Sequence, residues 1–331
     1  MRSVSSASAA TTVSQSQSDR VAPAADFASA SVFLYTGNHP RQIGMAASVI
    51  DPLRAAVLRG QVCDRRGQPI AGVQITVLNH SEYGNTLTGA DGLFDMTVNG
   101  GGLVTVVYTK TGYLPAQRQV QAPWQDYAWL PDIVMLPLDA QVTTINLNIA
   151  GMQVARGSLS SDVDGARRAT LLIPQGTQAE LVLPNGVTQT VTTLHVRATE
   201  YSVGNAGPLA MPAQLPPSSG YTYALEYTVD EGLAAGATDI RFSQPLFHYV
   251  ENFLNFPIGT AVPSPWWAIR SCRWNCNSQP ASLPAPPPSS WSKSPRTSAR
   301  SRACCRSRSR RALFGCCSES LTRPLRGPPS P

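Results

Sequence analysis

The chain has 331 residues, enough for two domains of ordinary size, and is 42% hydrophobic, 14% charged and 7% aromatic. Low charge combined with 28 prolines and 25 glycines excludes coiled coils and long charged helices and points to turn-rich β structure. The formal charge of +6 is uneven: residues 1–263 hold 14 Lys/Arg against 19 Asp/Glu, and residues 264–331 hold 12 against one. Six of the seven cysteines share that last stretch. Apolar runs such as Leu103–Tyr108 are far below the ~18 residues of a membrane span.

Residues 1–31 are Ser, Ala, Thr and Gln with few large apolar groups, and read as a disordered leader. Met1-Arg2 is not followed by the apolar core of a signal peptide. Residues 32–56 read as a lead-in. From 57 to 138 the pattern is that of a compact β-sandwich of about seven strands. Val57–Cys63 is apolar, and Asp64-Arg65-Arg66-Gly67 makes a turn. Within Ile70–Leu78, Val73, Ile75 and Val77 alternate with Gln74 and Thr76. After Thr86–Thr88, Ala90-Asp91-Gly92 signals a hairpin. Phe94, Met96 and Val98 alternate with polar residues, and Asn99-Gly100-Gly101-Gly102 breaks the chain. Leu103–Thr109, Tyr113–Gln121 and Asp132–Leu138 complete the set.

Residues 139–263 read as a second β-rich domain. Its strands are Val142–Ile149, Ala169–Ile173, Glu180–Leu183, Val187–Arg197, Thr222–Val229 and Asp239–Phe242. Pro184-Asn185-Gly186 is a hairpin turn, Pro208–Ser219 a proline-rich connection, and Glu231–Ala237 a weak helix signal. The fold class is therefore mainly β, with an Ig/transthyretin-like sandwich, a second β-rich domain, and a disordered leader and tail.

Three segments carry a family resemblance: RGQVCDRRGQPIAGVQITV at 59–77, TLTGADGLFDMTV at 86–98 and VTVVYTKTGYLPAQRQV at 104–120. They resemble the carboxypeptidase regulatory-like domain, a transthyretin-like sandwich with a carbohydrate-binding-like fold. PWQDYAWLPDIVMLPLD at 123–139, the run at 169–204, the run at 210–231 and VENFLNFPIGTAVPS at 250–264 look like bacterial RHS/YD-repeat proteins, relatives of the teneurins. That resemblance covers roughly residues 33–264. It implies a non-catalytic structural module, in which residues 139–263 act as a fibronectin-like plug before a YD-repeat shell that encapsulates a toxin. It also implies a secreted or cell-surface parent whose downstream shell is the partner. The YD repeats are absent from this chain, and the Arg/Ser/Pro/Cys-rich tail at 264–331 departs from the pattern in the manner of a frameshifted reading.

Candidate chemistry is sparse, and no cofactor or catalytic residue is indicated. His39, His80, His195 and His248 are isolated in sequence, and no nucleophile elbow or phosphate-cradling loop is present. Asp162-Val163-Asp164-Gly165 is a fragment of a calcium loop without its further ligands, and reads as a polar turn. Cys63 reads as a small core residue. Cys272, Cys276, Cys304, Cys305, Cys316 and Cys317 lack zinc-knuckle spacing and any nearby His. The run ARSRACCRSRSRR at 299–311 would contact phosphates, but no nucleic-acid fold signature accompanies it, so nucleic-acid binding stands as a third reading. Tyr249, Phe253 and Phe256 read first as packing within their own domain and second as a plug-to-shell contact. Trp124, Tyr127 and Trp129 read first as core or domain-interface packing. Their second reading is a glycan- or surface-binding platform, the alternative function.

Overall fold

The computed structural model describes residues 26–214 and 223–257, together with the backbone of Cys305–Arg306. The rest of the leader and tail, with the other five tail cysteines and the remainder of the basic run, lies outside the described residues. The architecture is mainly β, as the alternation requires.

In the first unit, nine strands form two sheets: β1 (Gln42–Ile43), β2 (Ala55–Cys63), β3 (Gln74–Val77), β4 (Asn85–Leu87), β5 (Leu93–Asn99), β6 (Gly102–Thr109), β7 (Ala116–Ala122), β8 (Asp126–Trp129) and β9 (Ile133–Val134). One sheet has the order β1-β4-β3-β6-β7. The other has β5-β2-β8, with β9 also pairing β2; β8 and β9 both run parallel to β2. The two sheets close on Leu58, Ile75, Phe94, Met96, Val106 and Tyr108, all nearly or fully buried. Phe94 and Tyr108 meet edge to face at 5.8 Å, the geometry favoured by the ring quadrupoles. Gly60 lies directly under Phe94; a Cβ there would come within 3.0 Å of the ring.

The turn at Asp64–Gly67 forms as expected: the Asp64 carboxylate accepts from Arg66 N and Gln68 N, and Gly67 takes φ +76°. The Ala90-Asp91-Gly92 turn also forms, closed by Gly92 N–H to the Gly89 carbonyl. It is not a hairpin, however, because β4 and β5 belong to different sheets. The turn instead passes the chain across the sandwich. β8 and β1 are additional to the expected set. Residues 26–31, expected within a disordered leader, correct that reading: Phe27–Ser31 is helix α1, capped by the Asp26 carboxylate accepting from Ser29 N at 2.8 Å. The lead-in is equally built. Leu34 is buried, and the buried Gln42 amide bonds Tyr83 O, Thr97 O and Thr97 N, stitching the two sheets together.

The second unit comprises β10 (Thr143–Asn146), β11 (Gln153–Arg156), β12 (Ser160–Asp162), β13 (Gly165–Arg167), β14 (Thr170–Ile173), β15 (Ala179–Val182), β16 (Thr188–Val191), β17 (Thr193–Glu200), β18 (Leu225–Val229), β19 (Asp239–Phe242) and β20 (Phe247–Tyr249). Helices α2 (Gly207–Ala210) and α3 (Asp230–Ala234) interrupt it. Its strands form small sheets: β10-β17-β18, β11-β14-β20, β12-β13 and β16-β15-β19. They surround a core of Leu171, Ile173, Leu181, Leu194, Leu225 and Tyr227. The single strand expected over Val187–Arg197 splits into β16 and β17, which belong to different sheets. The Pro184-Asn185-Gly186 hairpin forms between β15 and β16. The proline-rich connection begins as α2, with Pro208 in its first turn, where the missing N–H costs nothing.

A third apolar cluster joins the units. Leu114, Val134 and Leu136 of the first pack against Tyr201, Ala210, Met211 and Ala224 of the second. Arg118 on β7, only 4% exposed, donates to the carbonyls of Leu209 and Met211, and Gln117 N–H donates to Pro212 O. The Arg65 guanidinium donates to the Glu200 carbonyl across the same joint.

Candidate functional site

The aromatic residues of β8 are not core residues. Strand parity turns Ala128 inward, and Tyr127 and Trp129 outward. Trp129 is 66% exposed, Trp124 64% and Tyr127 43%, so of the expected core or domain-interface packing the core placement does not hold. They do not form one continuous open platform either. Arg59, opposite Trp129 in register, lies with its guanidinium 4.7 Å from the Tyr127 ring centroid and 5.4 Å from that of Trp129. Asp95 on β5 holds that guanidinium at 2.5 Å. Phe27 of α1 meets Tyr127 edge to face at 5.2 Å. Tyr127 is thus occupied on both sides, and Trp124 and Trp129 stand apart at either end of β8. Trp124 lies against Gly101, whose φ of +95° and bare Cα make room for it; a Cβ there would meet the indole Nε1 at 2.0 Å.

The stripe Tyr249, Phe253 and Phe256 also divides. Phe253 faces inward, edge-on to Tyr223 at 5.9 Å and under the Arg167 guanidinium at 4.4 Å. Phe256 closes a local turn, its backbone bonded to the Asn252 side-chain amide. Tyr249 is half-buried on β20, opposite Thr170.

The residue that the sequence pattern missed is Arg167. It is 1% exposed and satisfied by the Asp162 carboxylate on two nitrogens, at 2.7 and 2.8 Å, and by Glu200 at 2.7 Å. Asp162 is held far below the usual carboxylate range, chiefly by the Arg167 hydrogen bonds. The 162–165 segment is the β12–β13 turn, and its acid serves this arginine. Nearby Glu226 is buried and accepts from Tyr201 O–H; desolvation pushes its pKa up to about 7. Burial pushes His248 down to about 4 while its Nδ1 bonds Tyr227 O–H at 2.7 Å.

The histidines occupy separate places: His80 beside Glu82, His195 beside Glu231, His248 in the core and His39 on the surface. No group of three or more His, Cys, Asp or Glu with metal-binding arrangement occurs among the described residues. Cys63 is half-buried on β2, and burial raises its thiol pKa, the reverse of what a nucleophile requires. No helix among the described residues is long and apolar enough to cross a membrane.

Comparison with known proteins bears on the first unit. The sequence model of the Teneurin TTR-like domain matches residues 50–135. Mouse Teneurin-3 is 35% identical over 94 residues, 28% of this chain and 4% of that protein. Drosophila melanogaster Teneurin-m is 40% identical over 82 residues, 25% of this chain and 3% of that protein. The chain therefore spans a small fraction of the length of these relatives. Among solved structures, hydroxyquinol 1,2-dioxygenase from Pseudomonas putida DLL-E4 covers 31% of this chain and 63% of its own at 12% identity, with a TM-score of 0.24, too low to indicate a common fold. The two-sheet sandwich at residues 50–135 is accordingly similar in sequence to a teneurin TTR-like domain.

Proposed function

We propose that this chain is a non-catalytic structural module in which a TTR-like sandwich carries a second, plug-like β unit against a YD-repeat shell of a secreted or cell-surface parent. The observation that supports this reading is the joint. A teneurin TTR-like match at 50–135 is fused to the following unit by a buried apolar cluster and by Arg118, so the pair would present one rigid surface. Tyr249 and Phe256, both half-buried, would give the plug its contact with the shell. The test mixes the full chain with a separately produced YD-repeat shell and follows co-migration by size-exclusion chromatography. Co-migration that Tyr249→Asp with Phe256→Asp abolishes supports the reading; separate elution of the wild-type chain overturns it.

A second reading, a glycan- or surface-binding module, is favoured by the exposure of Trp124 and Trp129. It predicts glycan affinity in titration calorimetry, and a wild-type chain without such affinity rejects it.

A further inference from the structure

The outward face of the β11–β14 sheet combines features that neither the joint nor the core uses. In its register Val154 lies opposite Leu172, and Arg156 opposite Thr170. Beyond the ladder, Gly157 N–H still bonds Ala169 O, and Ser158 and Arg168 are the next residues out. Ala155, Leu171 and Ile173 take the alternate, core-facing positions. Arg156 and Arg168 line one open groove of about 390 Å³ together with Gln141, Thr143, Val154 and Leu159. A volume of that order suits a small ligand.

Arg156 is on β11 and Arg168 is in the link between β13 and β14, so the groove brings together two like charges from separate segments. The second unit pairs Arg167 with Asp162 and Glu200, and Arg197 with Asp230. Neither Arg156 nor Arg168 makes an ion pair among the described residues, and the buried Arg168 Nε has no hydrogen-bond partner there. Two carboxylates bond groove residues, and neither forms an ion pair with Arg156 or Arg168. Asp139 accepts from Ser158 N, Ser158 Oγ and Gln141 N, and Glu251 accepts from the Arg168 backbone N. Both keep their charge, so an anion would be held by the unfilled hydrogen-bonding positions of the two guanidinium groups rather than by net charge.

The type of anion follows from the strand edge. An extended acidic peptide would dock by adding a strand to β11. That route is closed: the Thr143 hydroxyl bonds both Arg156 N and Arg156 O, at 3.1 and 3.2 Å. What remains open is side-chain chemistry alone: two guanidinium forks, hydroxyl and amide groups, and the exposed aliphatic surfaces of Val154 and Leu159. Guanidinium forks match carboxylate and sulfate oxygens, the other polar groups match hydroxyls, and the aliphatic patches match the C–H face of a pyranose.

We propose that this groove binds an anionic saccharide, a uronate or sulfated sugar, through Arg156 and Arg168. The proposal rests on the glycan-binding reading and moves its site from β8 to the second unit. The test is titration calorimetry of the full chain at constant ionic strength with digalacturonate, a sulfated heparin disaccharide, cellobiose and hexaglutamate. The basic tail contributes equally to every variant, so differences report the groove. The expected result is binding of one or both acidic sugars, weakened at least tenfold by Arg156→Ala with Arg168→Ala and unchanged by Trp124→Ala with Trp129→Ala. The pair Arg156→Lys with Arg168→Lys keeps charge and fold while losing the forks, and is expected to bind at an intermediate level; this pair decides the matter if the alanine variant unfolds. Loss in the tryptophan variant alone overturns this site but leaves the glycan reading standing. Absence of any sugar binding overturns both, and hexaglutamate binding as tightly as the sugars overturns the saccharide assignment.

Discussion

In the first sandwich, Leu58, Ile75, Phe94 and Tyr108 fill the space between two sheets mainly with hydrocarbon and aromatic rings. In the second unit, a guanidinium, two carboxylates, a further buried carboxyl and an imidazole sit among or beside the core strands. The first arrangement is non-directional, so its stability follows the area and volume that it buries. The second makes each member depend on its partners, since an unpaired buried charge is far more costly than an unfilled methyl site. The first unit is thus sensitive to lost volume, and the second to lost partners.

Arg167→Met breaks this contrast most directly. It leaves Asp162 and Glu200 without their shared cation, and should cost about 3–5 kcal/mol in urea unfolding. Adding Asp162→Asn and Glu200→Gln to that variant should recover part of the loss; no recovery would mean that Arg167 contributes by packing alone. Phe94→Ala is the matching lesion in the first unit, expected to cost about 3–5 kcal/mol as a lost ring and a cavity. Its effect should be independent of pH.

The pH response of the second unit sharpens the contrast further. Glu226 titrates near 7 when folded against a reference of 4.5, so the native state holds more protons between those values, and stability falls as pH rises through the window. His248 titrates near 4 against a reference of 6.5, so the unfolded state holds more protons, and stability rises with pH from 4 to 6.5. The two nearly cancel in the wild type. Glu226→Gln should unmask the histidine as a rise in thermal midpoint from pH 4 to 6.5, with a slope of at most about 1.4 kcal/mol per pH unit. His248→Gln should unmask the opposite fall; profiles unchanged from wild type would show that neither group titrates as placed. Asp95→Ala has the smallest expected effect. Arg59 is partly exposed, and such pairs contribute about 0.2–1 kcal/mol, so its chemical unfolding curve should shift only slightly.

Legibility in the sequence follows the same division. The alternation of Phe94, Met96 and Val98, and the turns at Asp64–Gly67 and Pro184–Gly186, are local signals and fold locally. The Ala90–Gly92 turn was legible as a turn but not as a crossing, because sheet membership is decided by what β4 and β5 pair with, not by the loop. β8 was hidden by the Pro, Gln and Asp residues around it, and its parity by aromatic rings that look like core. Arg167 lies in an unremarkable Ala-Arg-Arg triplet. One of its partners is five residues back, but the other, Glu200, is 33 residues ahead, so no window reading could mark it as buried. The Arg156–Arg168 groove is likewise a product of register between β11 and β14.

Arg118 has a consequence for the order of assembly. It reaches 93 residues along the chain to hold Met211, in a stretch whose α2 has only four residues. So short a helix has no stability of its own. Synthesis proceeds from the N-terminus, so the first sandwich, with β7 and its arginine, can be complete before residues 207–214 emerge. The earlier unit would then act as a template on which the later one's least autonomous segment is moulded, and a lesion in β7 would be felt as misassembly of a region translated long afterwards.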